Sequence, residues 1–284
     1  MRHSSCALFV RDGRLLLGRR SPAKRLSPGV WDLIGGHARP AETPEEALLR
    51  EVEEEIGSIP MEFSLLETVP EPNPEANGPG VYHVFLVRGW AGPEPFLRNA
   101  EHVELGWFTP SEARGLSLAD PGYLELFARV EALQRGRRWV AYAAALWASV
   151  FAVFHVIWAA GWYPLLHAEQ ARIAFATPWK WAFDVVVAAM CVIAVPVALA
   201  PVSSWGHQVP RRLIYTLACV GSTLLVLRAA ASLIQVGYFA ATGRFRVTTL
   251  GISEPWFYLG AILFSLSTWR SRPVTTAPPR TLAQ

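Results

Sequence analysis

The sequence predicts an α/β sandwich over its first half and an all-α, membrane-spanning unit over its second. Up to about residue 138, short apolar runs of strand length alternate with turn residues and amphipathic helices rich in Glu and Arg. From 139 to 270, long apolar runs carry only isolated charges. The whole-chain averages of 17% charged and 52% apolar or aromatic residues, with 12 Trp in 284, do not suit one ordinary soluble domain.

The first elements follow from turn chemistry. Ala7–Val10 and Leu15–Gly18 flank Arg11, Asp12, Gly13 and Arg14, and an Asp-Gly pair between two apolar runs predicts a tight β-hairpin. Val30–Ile34 is a third strand, ending at Gly35-Gly36. Thr43-Pro44-Glu45-Glu46 starts a helix, with a capping hydroxyl, a first-turn proline and acids at the positive helix end. It is expected from about Pro44 to Ile56, stopping at Gly57. Strands are expected at Phe63–Val69, Val81–Arg88 and Leu105–Phe108. An amphipathic helix over Tyr123–Gln134 shows Leu126, Val130 and Leu133 on one stripe. Strands mixed with two helices fit an α/β/α sandwich.

Composition removes several classes. A net charge of +3 is too small to argue for a nucleic-acid polymer as partner. Cys6, Cys191 and Cys219 are too scattered for a disulfide framework or zinc site. The apolar piece Cys6–Val10 is too short for a secretory signal, so the first half is expected in a reducing cytoplasm.

The helix from Pro44 carries the chemistry. At 100° per residue Leu48, Val52 and Ile56 form one stripe facing the sheet, and Glu51, Glu54 and Glu55 fall on an adjoining arc. Three crowded carboxylates repel one another, a conflict that a hard cation such as Mg²⁺ or Mn²⁺ removes. A solvated acidic helix face is the other account of such a cluster. What separates the two is the full run Gly36–Gly57, which reads G-x5-E-x7-R-E-V-x-E-E-x-G.

This run resembles the Nudix box, and residues 1 to about 134 resemble the Nudix hydrolases. The resemblance implies an α/β/α sandwich with a mixed sheet and metal-dependent hydrolysis of nucleoside diphosphate-linked substrates. It implies Glu51, Glu54 and Glu55 as metal ligands, with one of them or a nearby carboxylate helping to deprotonate water. Gly35 would offer its carbonyl to the metal, Arg50 would orient the acids, and Gly36, Glu42 and Gly57 would shape the loop and helix. Glu101 or Glu104 could add a further carboxylate. Two positions depart from the pattern: Ser58 replaces an aliphatic residue, and Ala41 stands where glycine is more usual before the first box glutamate.

Leu15–Arg20 and Trp31–Leu33 resemble Nudix proteins that clear mutagenic nucleotides, which makes a nucleoside triphosphate, oxidised ones included, the favoured substrate. Arg19, Arg20, Lys24 and Arg25 could meet phosphates, and Trp31 or Tyr82 could stack on a base. Each also reads as a solvated cation or a core aromatic. The rival function is a nucleotide-sensing domain that regulates a membrane transporter or lipid-related domain.

A basic linker is expected at 135–139, then a four-helix transmembrane domain over 140–270, with spans at about 140–162, 181–202, 213–236 and 255–269, and a tail at 271–284. Trp139, Trp162, Trp179, Trp181, Trp256 and Trp269 fall near the interfaces. Arg135, Arg137, Arg138, Arg211, Arg212, Arg270, Arg272 and Arg280 outnumber Arg172, Lys180, Arg244 and Arg246 on the opposite side. The positive-inside rule then places both termini in the cytoplasm and a lipid bilayer as partner. Depth counting suggests an intramembrane ion pair between Asp184 and Arg228, with His155 beside it.

Overall fold

The computed structural model describes residues 2–71, 74–164, 169, 172–173, 176–243 and 253–272. Arg244, Arg246, Arg280 and the tail beyond Arg272 lie outside the described residues. The chain divides into two compact units, with the boundary between Gln134 and Arg135.

The first unit is a mixed seven-stranded sheet between helices. Its strands are β1 (Arg2–Arg11), β2 (Arg14–Arg20), β3 (Trp31–Asp32), β4 (Ile34–His37), β5 (Ile59–Pro70), β6 (Gly80–Ala91) and β7 (His102–Phe108). The order is β3-β2-β1-β6-β5, with β4 also on β1 and β7 on β2. β1 and β6 run parallel, and the other pairs are antiparallel. The hairpin forms as its turn residues require: Asp12 and Gly13 both have positive φ (49° and 82°), and Arg11 faces Arg14. The strand expected at Val30–Ile34 is instead two short pieces, because β3 pairs with β2 and β4 with β1.

Period-two alternation divides β1 between two cores. Ala7 and Phe9 point to helix α1 (Pro44–Ile56) and pack with Leu48, Val52, Ile56 and Phe85. Cys6 and Leu8 point the other way, to Tyr123, Leu126, Phe127 and Val130. Leu48, Val52 and Ile56 are fully buried, each contributing about 1.5–3 kcal/mol by the usual transfer scale. On the second helix the stripe is shifted from its expected position. Leu133 is 45% exposed, and Phe127 takes the core place. Two short helices, α2 (Pro74–Asn77) and α3 (Pro110–Ala113), complete this unit.

Helix α4 runs unbroken from Tyr123 to Ala159, so the expected linker 135–139 is helical. No proline interrupts these 37 residues, and the Arg residues of the stretch are good helix formers. The second unit adds α5 (Pro178–Leu199), two 3₁₀ turns (Ala200–Val202 and Ser204–Gln208), α6 (Arg211–Ala241) and α7 (Ser253–Ser271). Among the described residues, three helices are long and apolar enough to cross a membrane: Tyr123–Ala159, Pro178–Val202 and Arg211–Ala241. The fourth expected span, 255–269, is helical within α7 but is not among them. Glu254, Ser265, Ser267, Thr268 and Arg270 make that helix too polar.

Small polar groups and aromatic rings pack this unit. Ser222 Oγ lies 2.8 Å from Thr268 Oγ1, and Trp147 Nε1 donates to the Trp256 carbonyl at 2.9 Å. Trp256 stacks on Trp147, so it packs within the unit. Trp139, Trp162, Trp179 and Trp269 are exposed.

Candidate active site

The loop and first turn of α1 are fixed by reciprocal caps. Thr43 Oγ1 accepts from the Glu46 N–H at 3.2 Å, and the Glu46 carboxylate accepts from the Thr43 N–H at 2.8 Å. At the other end Gly57 takes the left-handed conformation (φ 70°), and its N–H returns to the Glu53 carbonyl. The Arg98 N–H donates to the Glu55 carbonyl at 2.9 Å, satisfying another open helix end.

Arg50 organises the acids. Its Nε and Nη2 donate to the two oxygens of Glu42, both at 2.8 Å. Nη1 donates to Glu51 at 2.6 Å and to Glu54 at 3.4 Å, while Nη2 also reaches the His37 carbonyl at 3.0 Å. Arg39, from the loop, donates to Glu54 at 3.2 Å. These hydrogen bonds hold the Glu42 carboxyl down to about 2, those from Arg50 foremost.

Glu55 differs from its neighbours. It is 3% exposed, accepts the Gly35 N–H at 3.3 Å and lies 3.5 Å from His102 Nδ1. Burial, and then the charges of Glu101 and Glu51, push its carboxyl up to about 9. Two glycines make room for this crowding. A Cβ on Gly36 would stand 2.7 Å from the Glu51 carboxylate, and one on Gly35 (φ 148°) would run into the Ser5 carbonyl oxygen.

Glu51, Glu54 and Glu55 share the helix arc. Among the described residues, however, no three His, Cys, Asp or Glu side chains converge on one metal position. Arg50 and Arg39 neutralise Glu51 and Glu54 instead. The donors still fit a hard divalent cation: all are oxygens, and a buried carboxylate forced toward its protonated form is what nearby positive charge would relieve.

The other expected residues separate. Glu101 pairs with Lys24 at 2.6 Å and its charge acts on Glu55, whereas Glu104 faces Arg19 at 3.5 Å. Arg20 is committed to structure: it donates to Asp32 at 2.8 Å and to the Ser27 and Leu26 carbonyls. Trp31 meets Phe108 edge-on at 4.8 Å in the core. Tyr82 is hydrogen-bonded to Glu71, and burial raises its hydroxyl pKa. Arg20 and Trp31 thus each have a structural partner within the fold. Both departures from the box have local answers. Ser58 is buried with its hydroxyl on the Pro93 carbonyl at 3.1 Å, and Ala41 holds φ 66°.

Two site residues escaped the motif. His102 backs Glu55, and its one sequence signal is that it follows Glu101. Asp32 collects Arg20, the Leu33 N–H and the Tyr123 hydroxyl (2.6 Å), a network spanning 91 residues of sequence.

A family model of the NUDIX domain matches residues 1–130. CTP pyrophosphohydrolase of Escherichia coli (strain K12) is 34% identical over 133 residues, which is 46% of this chain and 92% of that enzyme. A solved MutT NUDIX hydrolase from Burkholderia pseudomallei is 34% identical, covering 39% of this chain and 84% of that one with a TM-score of 0.37. Isopentenyl-diphosphate Delta-isomerase of Salmonella heidelberg (strain SL476) is 48% identical over 54 residues, 30% of that enzyme's length. The chain belongs to the Nudix family. Its first half is a Nudix pyrophosphohydrolase domain acting on nucleoside diphosphate derivatives.

Proposed function

We propose that the chain is a membrane-anchored Nudix hydrolase that converts a nucleoside triphosphate to its monophosphate and pyrophosphate. The observation that carries this reading is the acidic arc of α1. Arg50 fixes Glu51 and Glu54 from one side, while Glu55 is buried beside them with its carboxyl pushed up to about 9. A site that binds and aligns needs such fixed groups, because orientation supplies much of the rate. Similarity to an enzyme named for a nucleoside triphosphate supports that substrate class.

Glu51, Glu54, Glu55 and the Gly35 carbonyl are the groups that would hold Mg²⁺ or Mn²⁺. Such an ion would screen phosphate charge and acidify a bound water. Glu101, whose charge reaches Glu55, is the favoured additional carboxylate and would accept a proton from water. Arg50 acts as a positioning residue: by holding Glu42 it keeps the loop against the helix. Arg19, half exposed and only loosely paired with Glu104 at 3.5 Å, is the cation proposed to meet phosphate.

Three apolar helices support the anchor, and the excess of arginine at 135–138, 211–212 and 270–272 supports a cytoplasmic first half. The test uses the full chain in lipid nanodiscs with Mg²⁺ and a panel of nucleoside triphosphates and nucleotide sugars. Monophosphate and pyrophosphate from a triphosphate are expected; turnover of nucleotide sugars alone would replace the substrate proposed. In sealed cells, protease added outside should leave residues 1–134 intact, and their digestion would reverse the orientation.

A further inference from the structure

The helical unit contains a polar pair that nucleotide hydrolysis does not use. His155 on α4 and Asp184 on α5 meet through Nδ1 and Oδ1 at 2.5 Å. The residues are 8% and 3% exposed. The expected Asp184–Arg228 ion pair is not formed: Arg228 donates to Glu254 at 2.8 Å, because α7 offers that carboxylate nearer. Asp184 therefore has no fixed cation among the described residues. Its Oδ2 and His155 Nε2 are both buried without a hydrogen-bond partner there.

The surroundings are aromatic. Phe151 stands across the imidazole at 4.5 Å and Trp158 at 5.1 Å, both near-perpendicular. Phe257 of α7 packs on Phe151, and the Arg228 guanidinium lies over the Phe257 ring at 4.4 Å. The ionisable groups facing the pair are few. Asp184 and, two turns on, the thiol Cys191 come from α5; Arg228 comes from α6 and Glu254 from α7, and these last two neutralise each other. Among the described residues, nothing fixed compensates Asp184.

A purely structural hydrogen bond would leave its atoms satisfied, since buried polar groups nearly always find partners. An uncompensated carboxylate among apolar helices is costly, and His–Asp chains in such positions mark proton pathways. A proton needs no cavity, adds one positive charge and turns the pair from net −1 to neutral. We propose that His155 and Asp184 form a proton-binding site of the helical unit, taking a proton from hydronium and releasing it to water. The unit would thus have a function of its own beside anchoring.

Trp158 supplies the readout, because an imidazolium touching an indole quenches its emission. The full chain in nanodiscs is titrated from pH 4 to 10 by tryptophan fluorescence. A reversible, pH-dependent quench is expected, lost in His155→Gln and displaced along the pH axis in Asp184→Asn. Trp158→Phe, which leaves the pair intact, should lose the same component, so the test survives if a His155 variant fails to fold. Superimposable curves for wild type and Trp158→Phe would overturn the proposal, as would a quench unchanged by His155→Gln. Nucleotide hydrolysis in His155→Gln should equal wild type, so this proposal can fail without touching the hydrolase reading.

Discussion

Arg50 grips Glu42 with two parallel hydrogen bonds of 2.8 Å, one from Nε and one from Nη2. That fork joins the Gly36–Thr43 loop to the helix carrying the acids, and the third nitrogen of the same guanidinium reaches Glu51 at 2.6 Å. A lysine carries the charge but not the fork. Arg50→Lys should lower stability by about 2 kcal/mol and activity by roughly 10–100-fold. The temperature of half-inactivation and the initial rate of pyrophosphate release check both.

The same pair predicts an acid dependence. Hydrogen bonds from Arg50, then Arg39, hold Glu42 at about 2 in the folded chain, below its ordinary 4.5. A depressed carboxyl adds stability above its unfolded value and loses it as pH falls through the folded one. The stability gap between wild type and Glu42→Gln should therefore be full above about pH 5 and shrink as pH drops from 4.5 toward 2. Heat-inactivation midpoints across this range would show it; a constant gap would contradict the coupling.

Ala41 sits at φ 66° and is exposed. A left-handed alanine costs about 1–2 kcal/mol, partly offset in Ala41→Gly by the freer unfolded chain. The substitution should raise stability by about 0.5–1 kcal/mol and leave the rate within twofold. Thermal inactivation curves for the two chains decide it.

Gly36 leaves room for the Glu51 carboxylate, 2.7 Å from where a Cβ would be. Gly36→Ala should push that carboxylate aside. A roughly 10-fold or larger loss of rate is expected, together with a raised Mg²⁺ concentration for half-maximal activity and little change in protease resistance. An unchanged metal requirement would show that Glu51 does not depend on this space.

Much of this was legible in the sequence because it is local. The Asp12-Gly13 turn, the Thr43 cap, the Leu48, Val52 and Ile56 stripe and the Gly57 stop each depend on neighbours within one or two turns. What stayed hidden joins distant segments. Tyr123 reaches Asp32, His102 backs Glu55, and Arg20 is spent on Asp32, so its phosphate role could not be judged from spacing. The helical unit shows the same limit. Helix depth brought His155, Asp184 and Arg228 to one level, but Glu254 on α7 took Arg228. Periodicity also missed that Tyr123–Ala159 is one helix, since an amphipathic stretch and an apolar one give different patterns on a continuous backbone.

The most direct measurement is single-substitution hydrolysis by the full chain: a nucleoside triphosphate, Mg²⁺, and product analysis for wild type and Glu54→Gln. Wild type should release monophosphate and pyrophosphate, and Glu54→Gln should lose at least about 100-fold in rate while keeping the same heat-inactivation midpoint. Equal turnover by the two chains would contradict the assignment of the acidic arc of α1 as the site of reaction.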